Sequence, residues 1–236
     1  MPDLKKLKNK IKSKKYSNRL YWKFLFFIWA TFKSKYPKPK AVIHTFPKQK
    51  VIYVEVPKAG CTSIKWALKK FKGYVNDSNE DIHKFYGYPE IPTSKLKKEF
   101  ATKYHDWVKF TVVRNPYSRF LSFYNDKTTS PEYKDTLHSK KINEVLKNLF
   151  KKYKTDNHVK RQTDLIGKDL KIYDFVGKTE DMENVFRFLS KVFMEEIKYT
   201  HENKSDQKAK LKKTDKEKIY KLYKKDFKIL KYKKSQ

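Results

Sequence analysis

The sequence predicts an α/β fold, in which helices flank a central parallel sheet. Short runs rich in β-branched and aromatic residues alternate along the chain with amphipathic segments of helical period. Such alternation is typical of parallel sheets, because each return to a parallel strand needs a crossover, usually a helix. With 236 residues, 38% of them hydrophobic, the chain can bury one sizeable core with small appendages.

The net charge of +32 is the unusual feature of the composition. Five of the 58 basic residues are arginines, at positions 19, 114, 119, 161 and 187, and the rest are lysines. A lysine-rich surface suits nucleic acid, an anionic membrane face or a polyanionic substrate, and biased residue usage would produce the same charge. Charge alone therefore selects no function.

The first 40 residues are predicted to form a basic N-terminal segment with a short apolar helix, ahead of a main domain at 41–236. The apolar run at 20–32 has 13 residues, whereas a spanning helix needs about 20. Its lysine-rich flank favours peripheral contact with the cytoplasmic face of a membrane, and docking on the domain's own core is the alternative. The single cysteine, Cys61, excludes an internal disulfide and cysteine-pair zinc sites, and it favours a reducing, cytoplasmic location.

The strongest local pattern is VIYVEVPKAGCTS, residues 51–63. Residues 51–56 predict a buried strand, which Pro57 ends because proline has no N–H to donate. Lys58 and the small residues 59–63 then precede an amphipathic helical segment at 64–71. A turn of small residues exposes consecutive backbone N–H groups, the helix N-terminus adds partial positive charge, and the lysine adds a full charge. The stretch therefore predicts a binding site for a phosphate or a sulfate.

The other elements follow from the same periodicities. We expect a short edge strand at 42–45 and further strands at 109–113 and 171–176. Helices are expected at 94–103, from 116 onward, and at 142–153, 156–166, 181–192 and 214–230, with a long loop at 73–92. Ligands of parallel sheets bind at the carboxyl ends of the strands, so the residues after each strand are candidates for a site.

RNPYSRFLSFYND, residues 114–126, follows the strand at 109–113. Its Asn-Pro pair favours a helix start, with proline in the first turn. Arg119 and Ser122 lie three residues apart on one face of that helix, and Arg114 lies at the end of the strand. The planar guanidinium of arginine binds phosphate oxygens in a bidentate way that lysine does not. The segment predicts a second anion site, with a surface ion pair as the alternative.

Neither segment has the spacing of a nucleotide-binding loop. A Walker loop needs G-x-x-x-x-G-K-[ST], but Lys58 precedes its glycine, and the run GKT at 177–179 has Ile172 where the upstream glycine belongs. The chain has no G-x-G-x-x-G motif. These observations disfavour a nucleotide-dependent phosphotransferase and a dinucleotide-binding fold.

Two motifs resemble the donor site of a known family. P-K-x-G-x-T-S at 57–63 resembles the 5′-phosphosulfate loop of sulfotransferases that use 3′-phosphoadenylyl sulfate (PAPS), and R-x-P-x-x-R-x-x-S-x-Y at 114–124 resembles their 3′-phosphate motif in every fixed position. Residues 157–158, 173–180 and 220–232 are similar to later blocks of the carbohydrate branch, which includes Golgi-type, heparan- and chondroitin-like enzymes. The resemblance implies a P-loop-like sulfotransferase fold.

The chain also departs from Golgi members of that branch. Its apolar run is shorter than their membrane anchor, and it lacks their paired cysteines. We therefore expect a bacterial or other non-Golgi member. Regions 73–106 and 127–157, where an acceptor would bind, match no block of the family, so the resemblance describes the donor site better than the acceptor site.

The resemblance implies in-line transfer of a sulfuryl group from PAPS to a hydroxyl or amine, without a metal. Lys58 would lie at the bridging oxygen, where charge develops. Arg114 and Ser122 would bind the 3′-phosphate, Arg119 would support that pocket, and Lys178 is a weaker candidate for the same region. The 5′-phosphate would be held by the residues of the small turn, Ala59, Gly60, Cys61, Thr62 and Ser63.

A hydroxyl acceptor needs a general base, and histidine titrates in the useful range. His158 is the first choice because its local pattern matches the carbohydrate branch, His83 is the second, and His105 is the third. Glu55 alternates with Tyr53 on one strand face and is a further candidate. The basic surface suits an anionic glycan, such as a polysaccharide or glycolipid. The rival interpretation is a non-catalytic module that binds polyanions, with nucleic acid the less favoured partner.

Overall fold

The computed structural model describes residues 38–73, 82–87, 89–130, 141–152, 156–199 and 209–234. From Pro39 onward these residues belong to one structural unit. The apolar run at 20–32, for which a short helix and membrane contact are predicted, lies outside the described residues. Within the described part of the chain, no helix is both long enough and apolar enough to cross a bilayer.

The described residues form a five-stranded sheet in the order β3-β1-β2-β4-β5. Its strands are β1 (Lys40–Phe46), β2 (Val51–Glu55), β3 (Glu90–Pro92), β4 (Val108–Val113) and β5 (Phe175–Lys178). Strands β2, β4 and β5 are parallel, with Val54 opposite Thr111 and Val113 opposite Lys178. The predicted parallel sheet is confirmed for these three strands, although β5 begins later than the strand expected at 171–176.

Strands β1 and β3 make the other half of the sheet antiparallel, so the sheet as a whole is mixed. Residues 47–50 join β1 to β2, and this turn is too short for the crossover that a parallel pair needs. The edge position predicted for residues 42–45 is wrong. Strand β3, which forms within the stretch predicted as a loop, pairs with β1 and makes β1 an interior strand.

Helices connect and cover the strands. They are α1 (Cys61–Leu68), α2 (Ile82–Tyr86), α3 (Leu96–Ala101), α4 (Pro116–Thr129), α5 (Ile142–Lys152), α6 (Gln162–Leu165), α7 (Met182–Phe193) and α8 (Lys213–Ile229). The helix predicted at 156–166 is helical only in α6. The preceding turn is not helical, because the carbonyls of Asn157 and Lys160 accept hydrogen bonds from Arg119 instead of from their own chain segment.

Buried apolar clusters lie on both faces of the sheet. On one face, Tyr53 and Phe110 cluster with side chains of α1, α2 and α7. On the other face, Ile52 and Val54 cluster with side chains of α3 and α6. Alternate residues of a strand point to opposite faces, so β2 is buried on both sides. A third cluster joins α4, α5 and α8. Because both faces of the sheet are covered by these apolar clusters, a ligand would reach the sheet at the ends of its strands.

Candidate active site

The stretch after β2 makes a sharp turn at residues 56–60. Lys58 (φ 65°) and Gly60 (φ 77°) both have left-handed backbone conformations. Glycine adopts this conformation readily, whereas a lysine in it is strained, and such strain collects at functional sites. A side chain at Gly60 would also contact Met182, 3.5 Å from the added Cβ. The turn lets α1 begin at Cys61, three residues after Lys58 and three residues before the helical segment predicted at 64–71.

The first turn of α1 supplies backbone donors for an anion. The N–H groups of Cys61, Thr62 and Ser63 lie at the helix N-terminus, where no carbonyl within the helix precedes them. Ile64 already bonds back to the carbonyl of Gly60, at 3.2 Å. Burial raises the pKa of the Cys61 thiol to about 11, so this thiol is protonated at neutral pH. The geometry is that of an oxyanion grip built from backbone N–H groups.

Lys58 forms an ion pair with Asp126 of α4, with 3.1 Å between Nζ and Oδ2. Burial alone would raise the pKa of Asp126, but the charges and hydrogen bonds of Lys58 and of Lys127, whose Nζ lies 3.3 Å from Oδ2, outweigh it and hold the pKa below its ordinary value. Asp126 is therefore ionised beside the lysine. Asp126 was not among the site residues predicted from the sequence, although it lies four residues after Ser122 and seven after Arg119, on the same helical face.

Arg119 is 2% exposed and donates only to backbone carbonyls among the contacts described here. Nε donates to Pro57 at 2.9 Å, one terminal nitrogen to Lys160 at 2.8 Å and the other to Asn157 at 3.0 Å. A planar fork with five donors suits such a three-way junction. Arg119 thus ties the lysine loop to the turn before α6, and its expected support of a 3′-phosphate pocket stays a prediction.

Arg114 links the two anion-binding segments. Its guanidinium donates to the carbonyl of Lys58 at 3.2 Å, so the predicted convergence of the two segments is confirmed. The backbone of Arg114 is held by Gln162, whose Oε1 accepts from its N–H at 2.9 Å and whose Nε2 donates to its carbonyl at 2.7 Å. Ser122 is buried on α4. From the sequence, Gln162 was placed only within the helix expected at 156–166, and its partner follows from the tertiary structure.

Residues after β5 reach the same edge of the sheet. Glu180 accepts the N–H of Asn115 at 2.7 Å and the hydroxyl of Tyr232 at 2.9 Å. The Nζ of Lys178 lies 4.7 Å from the centroid of the Tyr232 ring, and Lys178 is exposed. Blocks 173–180 and 220–232 therefore meet beside the strand end that carries Arg114, and Lys178 lies at the rim of this region.

The histidine candidates occupy different places. The Nδ1 of His158 lies 2.7 Å from Oδ1 of Asp156, and a carboxylate that accepts from Nδ1 leaves the lone pair of Nε2 able to take a proton. Because Arg119 ties this turn to Pro57, His158 is held beside the lysine loop. His105 is exposed before the amino end of β4, at the opposite edge of the sheet.

A family model described as "Sulfotransferase family" matches residues 42–233. The chain belongs to the sulfotransferase family. Human carbohydrate sulfotransferase 9 is 31% identical to it over 93 residues, a stretch that covers 38% of this chain and 21% of the human protein. The aligned part of this sulfotransferase thus corresponds to about a fifth of that relative. No solved structure matches. The resemblance inferred from the two motifs is confirmed, and so is the fold class.

Behind the lysine loop of this sulfotransferase lies a row of polar side chains that we call the buried row. His44, Glu55 and Lys65 are buried, and His83 and Thr62 are half-buried. Glu55, 3% exposed, accepts from His44 Nε2 at 2.6 Å and from Lys65 Nζ at 2.8 Å. The Nζ of Lys65 also lies 2.9 Å from Nδ1 of His83, whose Nε2 lies 3.2 Å from Oγ1 of Thr62. Glu55 therefore faces the protein interior, and both ring nitrogens of His83 have partners.

Three residues of this row and its surroundings meet the distance requirement of a metal site. Ligand atoms of Glu55, Cys61 and His83 lie within 4.8 Å of one another. The Lys65 ammonium contacts both Glu55 and His83, so it would repel a metal ion, and the protonated thiol of Cys61 is a poor ligand. These residues do not fit a metal, and the metal-free transfer expected of the family stays a prediction.

The buried row predicts an acid-sensitive fold. Burial alone would raise the pKa of Glu55, but the hydrogen bond from His44 and the charge of Lys65 lower it to about 2. Burial lowers the pKa of His44 below its ordinary value of 6.5. Both groups bind protons more weakly in the folded chain than in the unfolded chain, so they stabilise the fold above their unfolded pKa values and lose this contribution as the pH falls toward their folded values.

We therefore expect the urea midpoint of unfolding to fall between about pH 7 and about pH 3, first from His44 and then from Glu55 as well. His44→Gln removes the imidazole but keeps an amide donor for Glu55. In this variant the urea midpoint should change less with pH near and below pH 6.5, the ordinary histidine pKa, because the contribution of His44 is absent. A midpoint that stays constant down to about pH 4 would contradict the assignment.

Proposed function

We propose that the chain is an enzyme that transfers a sulfuryl group from PAPS to a hydroxyl or amine of a carbohydrate. The observation that carries the proposal is the contact between the Arg114 guanidinium and the Lys58 carbonyl, 3.2 Å. It joins the lysine loop and the arginine segment into one pocket with two groups of cationic and backbone donors. A donor molecule with a phosphosulfate at one end and a 3′-phosphate at the other matches such a pocket.

The chain's own residues have separable roles in this proposal. Lys58 stabilises the negative charge that develops on the bridging oxygen as the sulfuryl group leaves. The N–H groups of Cys61, Thr62 and Ser63 hold the 5′-phosphate at the N-terminus of α1. Arg114, at the end of β4, binds the 3′-phosphate together with the hydroxyl of Ser122 on α4. As in phosphoryl transfer, positioning and charge stabilisation do most of the work, because the reaction needs no covalent intermediate.

The acceptor side of the proposal rests on His158. Its pairing with Asp156 fixes a tautomer that can take a proton from a hydroxyl at Nε2. The proposed acceptor is a carbohydrate, in keeping with the name of the human relative, carbohydrate sulfotransferase 9. We further propose an anionic glycan of the polysaccharide or glycolipid class, because the net charge of +32 favours polyanionic partners.

The negative charge of Asp126, which is paired with Lys58, should weaken binding of the sulfuryl donor. We expect Asp126→Asn to strengthen binding of adenosine 3′,5′-bisphosphate roughly tenfold, because a carboxylate this close to the lysine repels phosphate by on the order of 1–2 kcal/mol. Isothermal titration calorimetry measures the effect. Asp106→Asn is the matched control, since Asp106 is paired with Lys50 and its side chain is 41% exposed, compared with 42% for Asp126.

Asp106 precedes β4 and Lys50 precedes β2, so this control pair lies at the amino ends of the strands, away from the proposed donor site. Affinity in the control should equal that of the wild-type chain. Weaker binding in Asp126→Asn would contradict the expectation, because it would mean that the ion pair organises the lysine for the donor and does not compete with it.

The decisive test combines binding and transfer. The proposal expects adenosine 3′,5′-bisphosphate to bind at micromolar affinity or better, and a screen of glycan acceptors with labelled PAPS to yield a product heavier by one sulfate. The rival, a non-catalytic polyanion module, expects no such binding. It expects instead association with heparin-like polymers or nucleic acid that weakens steeply as salt rises.

We also propose that the protein is cytoplasmic, with peripheral membrane contact through residues 20–32. The single cysteine and the lysine-rich flank of the apolar run support this location. Cosedimentation of the full chain with vesicles of anionic phospholipid tests the contact. Replacement of both Trp22 and Trp29 by serine should reduce it, and equal pelleting of the two proteins would overturn the contact.

A further inference from the structure

The buried row behind the lysine loop ends on a residue of the proposed phosphate site. It runs from His44 through Glu55 and Lys65 to His83, and then to the hydroxyl of Thr62. Lys65 is 1% exposed and Glu55 is 3% exposed. Ionised side chains are rarely buried so deeply unless they are paired. Breaking the Lys65–Glu55 ion pair would leave an unpaired buried charge, so the pair keeps both side chains in place. Its last member is the second residue of α1, whose N-terminus opens on the loop.

The charge on Lys65 determines the tautomer of His83. An ammonium group has donors and no acceptor, so Nδ1 of His83 must accept from Lys65 through its lone pair. The neutral ring then carries its proton on Nε2, and this N–H donates to Oγ1 of Thr62 at 3.2 Å. The hydroxyl oxygen of Thr62 thereby accepts a hydrogen bond from His83, so the hydrogen of this hydroxyl can be donated in another direction.

We propose that His83 is a positioning residue that holds the Thr62 hydroxyl as a hydrogen-bond donor toward the 5′-phosphate of the sulfuryl donor. This inference rests on the proposed function, because it takes the phosphate to lie at the N-terminus of α1. Glu55 forms an ion pair with Lys65 at 2.8 Å. Lys65 donates to Nδ1 of His83 and so sets the tautomer of that ring, and His83 sets the direction of the Thr62 hydroxyl. The buried ion pair thus determines, through His83, the direction in which the Thr62 hydroxyl donates its hydrogen bond.

The same geometry argues against a base role for His83. Its Nε2 already carries a proton, and protonation of Nδ1 would place two donors against each other at the Lys65 ammonium. A group that takes a proton from the acceptor needs a lone pair directed at the substrate. In His158 the Nδ1 contacts Asp156 and leaves the Nε2 lone pair for such a role, whereas the ring nitrogens of His83 contact Lys65 and Thr62.

The tautomer can be measured without any ligand. In the free protein labelled with nitrogen-15 histidine, the NMR signals of His83 should show an unprotonated Nδ1 and a protonated Nε2. Lys65→Met removes the donor to Nδ1 and should change this pattern. Observation of a proton on Nδ1 in the wild-type chain would overturn the proposal directly.

Substitutions then test the link to phosphate binding. Asparagine places its amide near the position of Nδ1 and does not reach Thr62, whereas glutamine reaches the position of Nε2. We expect His83→Asn to weaken binding of adenosine 3′,5′-bisphosphate about tenfold, and His83→Gln to retain it within about threefold. His105→Asn, at the opposite edge of the sheet, is the matched control and should leave the affinity unchanged.

A double-mutant cycle separates action through Thr62 from any other role. Thr62→Val removes the hydroxyl and should weaken binding about as much as His83→Asn does, and the double variant should lose little more. Independent, additive losses would overturn the inference, as would a loss of kcat from His83→Asn that persists in the Thr62→Val background. Thermal unfolding of each variant, together with His83→Gln, reports whether the fold is intact.

The same titrations distinguish failure of this inference from failure of the proposed function. If the wild-type chain does not bind adenosine 3′,5′-bisphosphate, the donor site itself is wrong and the phosphate role of Thr62 falls with it. If the wild-type chain binds and His83→Asn binds equally well, the proposed function stands and the role of His83 is overturned.

Discussion

Lys58→Ala is expected to lower the rate of sulfuryl transfer about 10³-fold or more, with the fold intact. The lysine would supply a full positive charge where negative charge develops on the leaving oxygen, and backbone donors alone do not replace it. The side chain is only 20% exposed, so its charge is little screened by water. Turnover of labelled PAPS with a glycan acceptor measures the loss. Product affinity should change far less, since the loop and Arg114 remain.

Lys50→Ala is the matched control for this change. Lys50 also has a left-handed backbone, with φ 53°, and is paired with an aspartate. It precedes β2, whereas Lys58 follows it, so the two lysines mark opposite ends of one strand. The control should transfer sulfate at the wild-type rate and unfold at the wild-type midpoint. Retained turnover in Lys58→Ala would remove the lysine from the mechanism.

Arg119→Lys should lower the free energy of unfolding by about 3 kcal/mol, although the charge is kept. One ammonium cannot reach the carbonyls of Pro57, Asn157 and Lys160 at once, so buried carbonyls lose their donors. The lysine loop and the turn that carries His158 would then no longer be held together. We therefore also expect the affinity for adenosine 3′,5′-bisphosphate to fall about tenfold.

Arg187→Lys provides the control, because Arg187 is exposed on α7 and such surface changes alter stability little. Urea denaturation and calorimetric titration of both variants measure stability and affinity separately. Equal midpoints for the two variants would contradict the role of Arg119 as a junction. A stability loss without any change in affinity would mean that the junction supports the fold but not the donor pocket.

The local structure of the two segments in the proposed donor site could be predicted from the sequence. Lys58, Gly60 and Thr62 are contiguous, and a strand, a turn of small residues and a helix start can each be recognised over a few residues. Arg114 and Arg119 could be found in the same way, since a strand end and the first turns of a helix place them. The order of these segments along the chain then predicted that both follow parallel strands.

Partners distant in sequence could not be predicted. Gln162 holds the backbone of Arg114 across 48 residues of chain. Asp126 reaches Lys58 only because α4 lies beside the lysine loop, where Arg119 also donates to the carbonyl of Pro57. The spacing of Asp126 from Arg119 marked a shared helical face, but not what that face would meet. Glu55 and His83 were considered as site residues. Their actual partner, Lys65, was not considered, because a lysine in an amphipathic helix is usually solvent-exposed.

The sequence by itself determined the lysine loop, the arginine segment, the parallel half of the sheet and the family resemblance, because each depends on contacts within a few residues or on one repeated pattern. The tertiary structure decided that β1 is an interior antiparallel strand and that Arg119 donates to backbone carbonyls. It also decided that a buried ion pair, Glu55–Lys65, is linked to Thr62 through a histidine. The reason is physical: strand order and the pairing of buried charges are set by long-range packing, which brings together side chains that no local spacing relates.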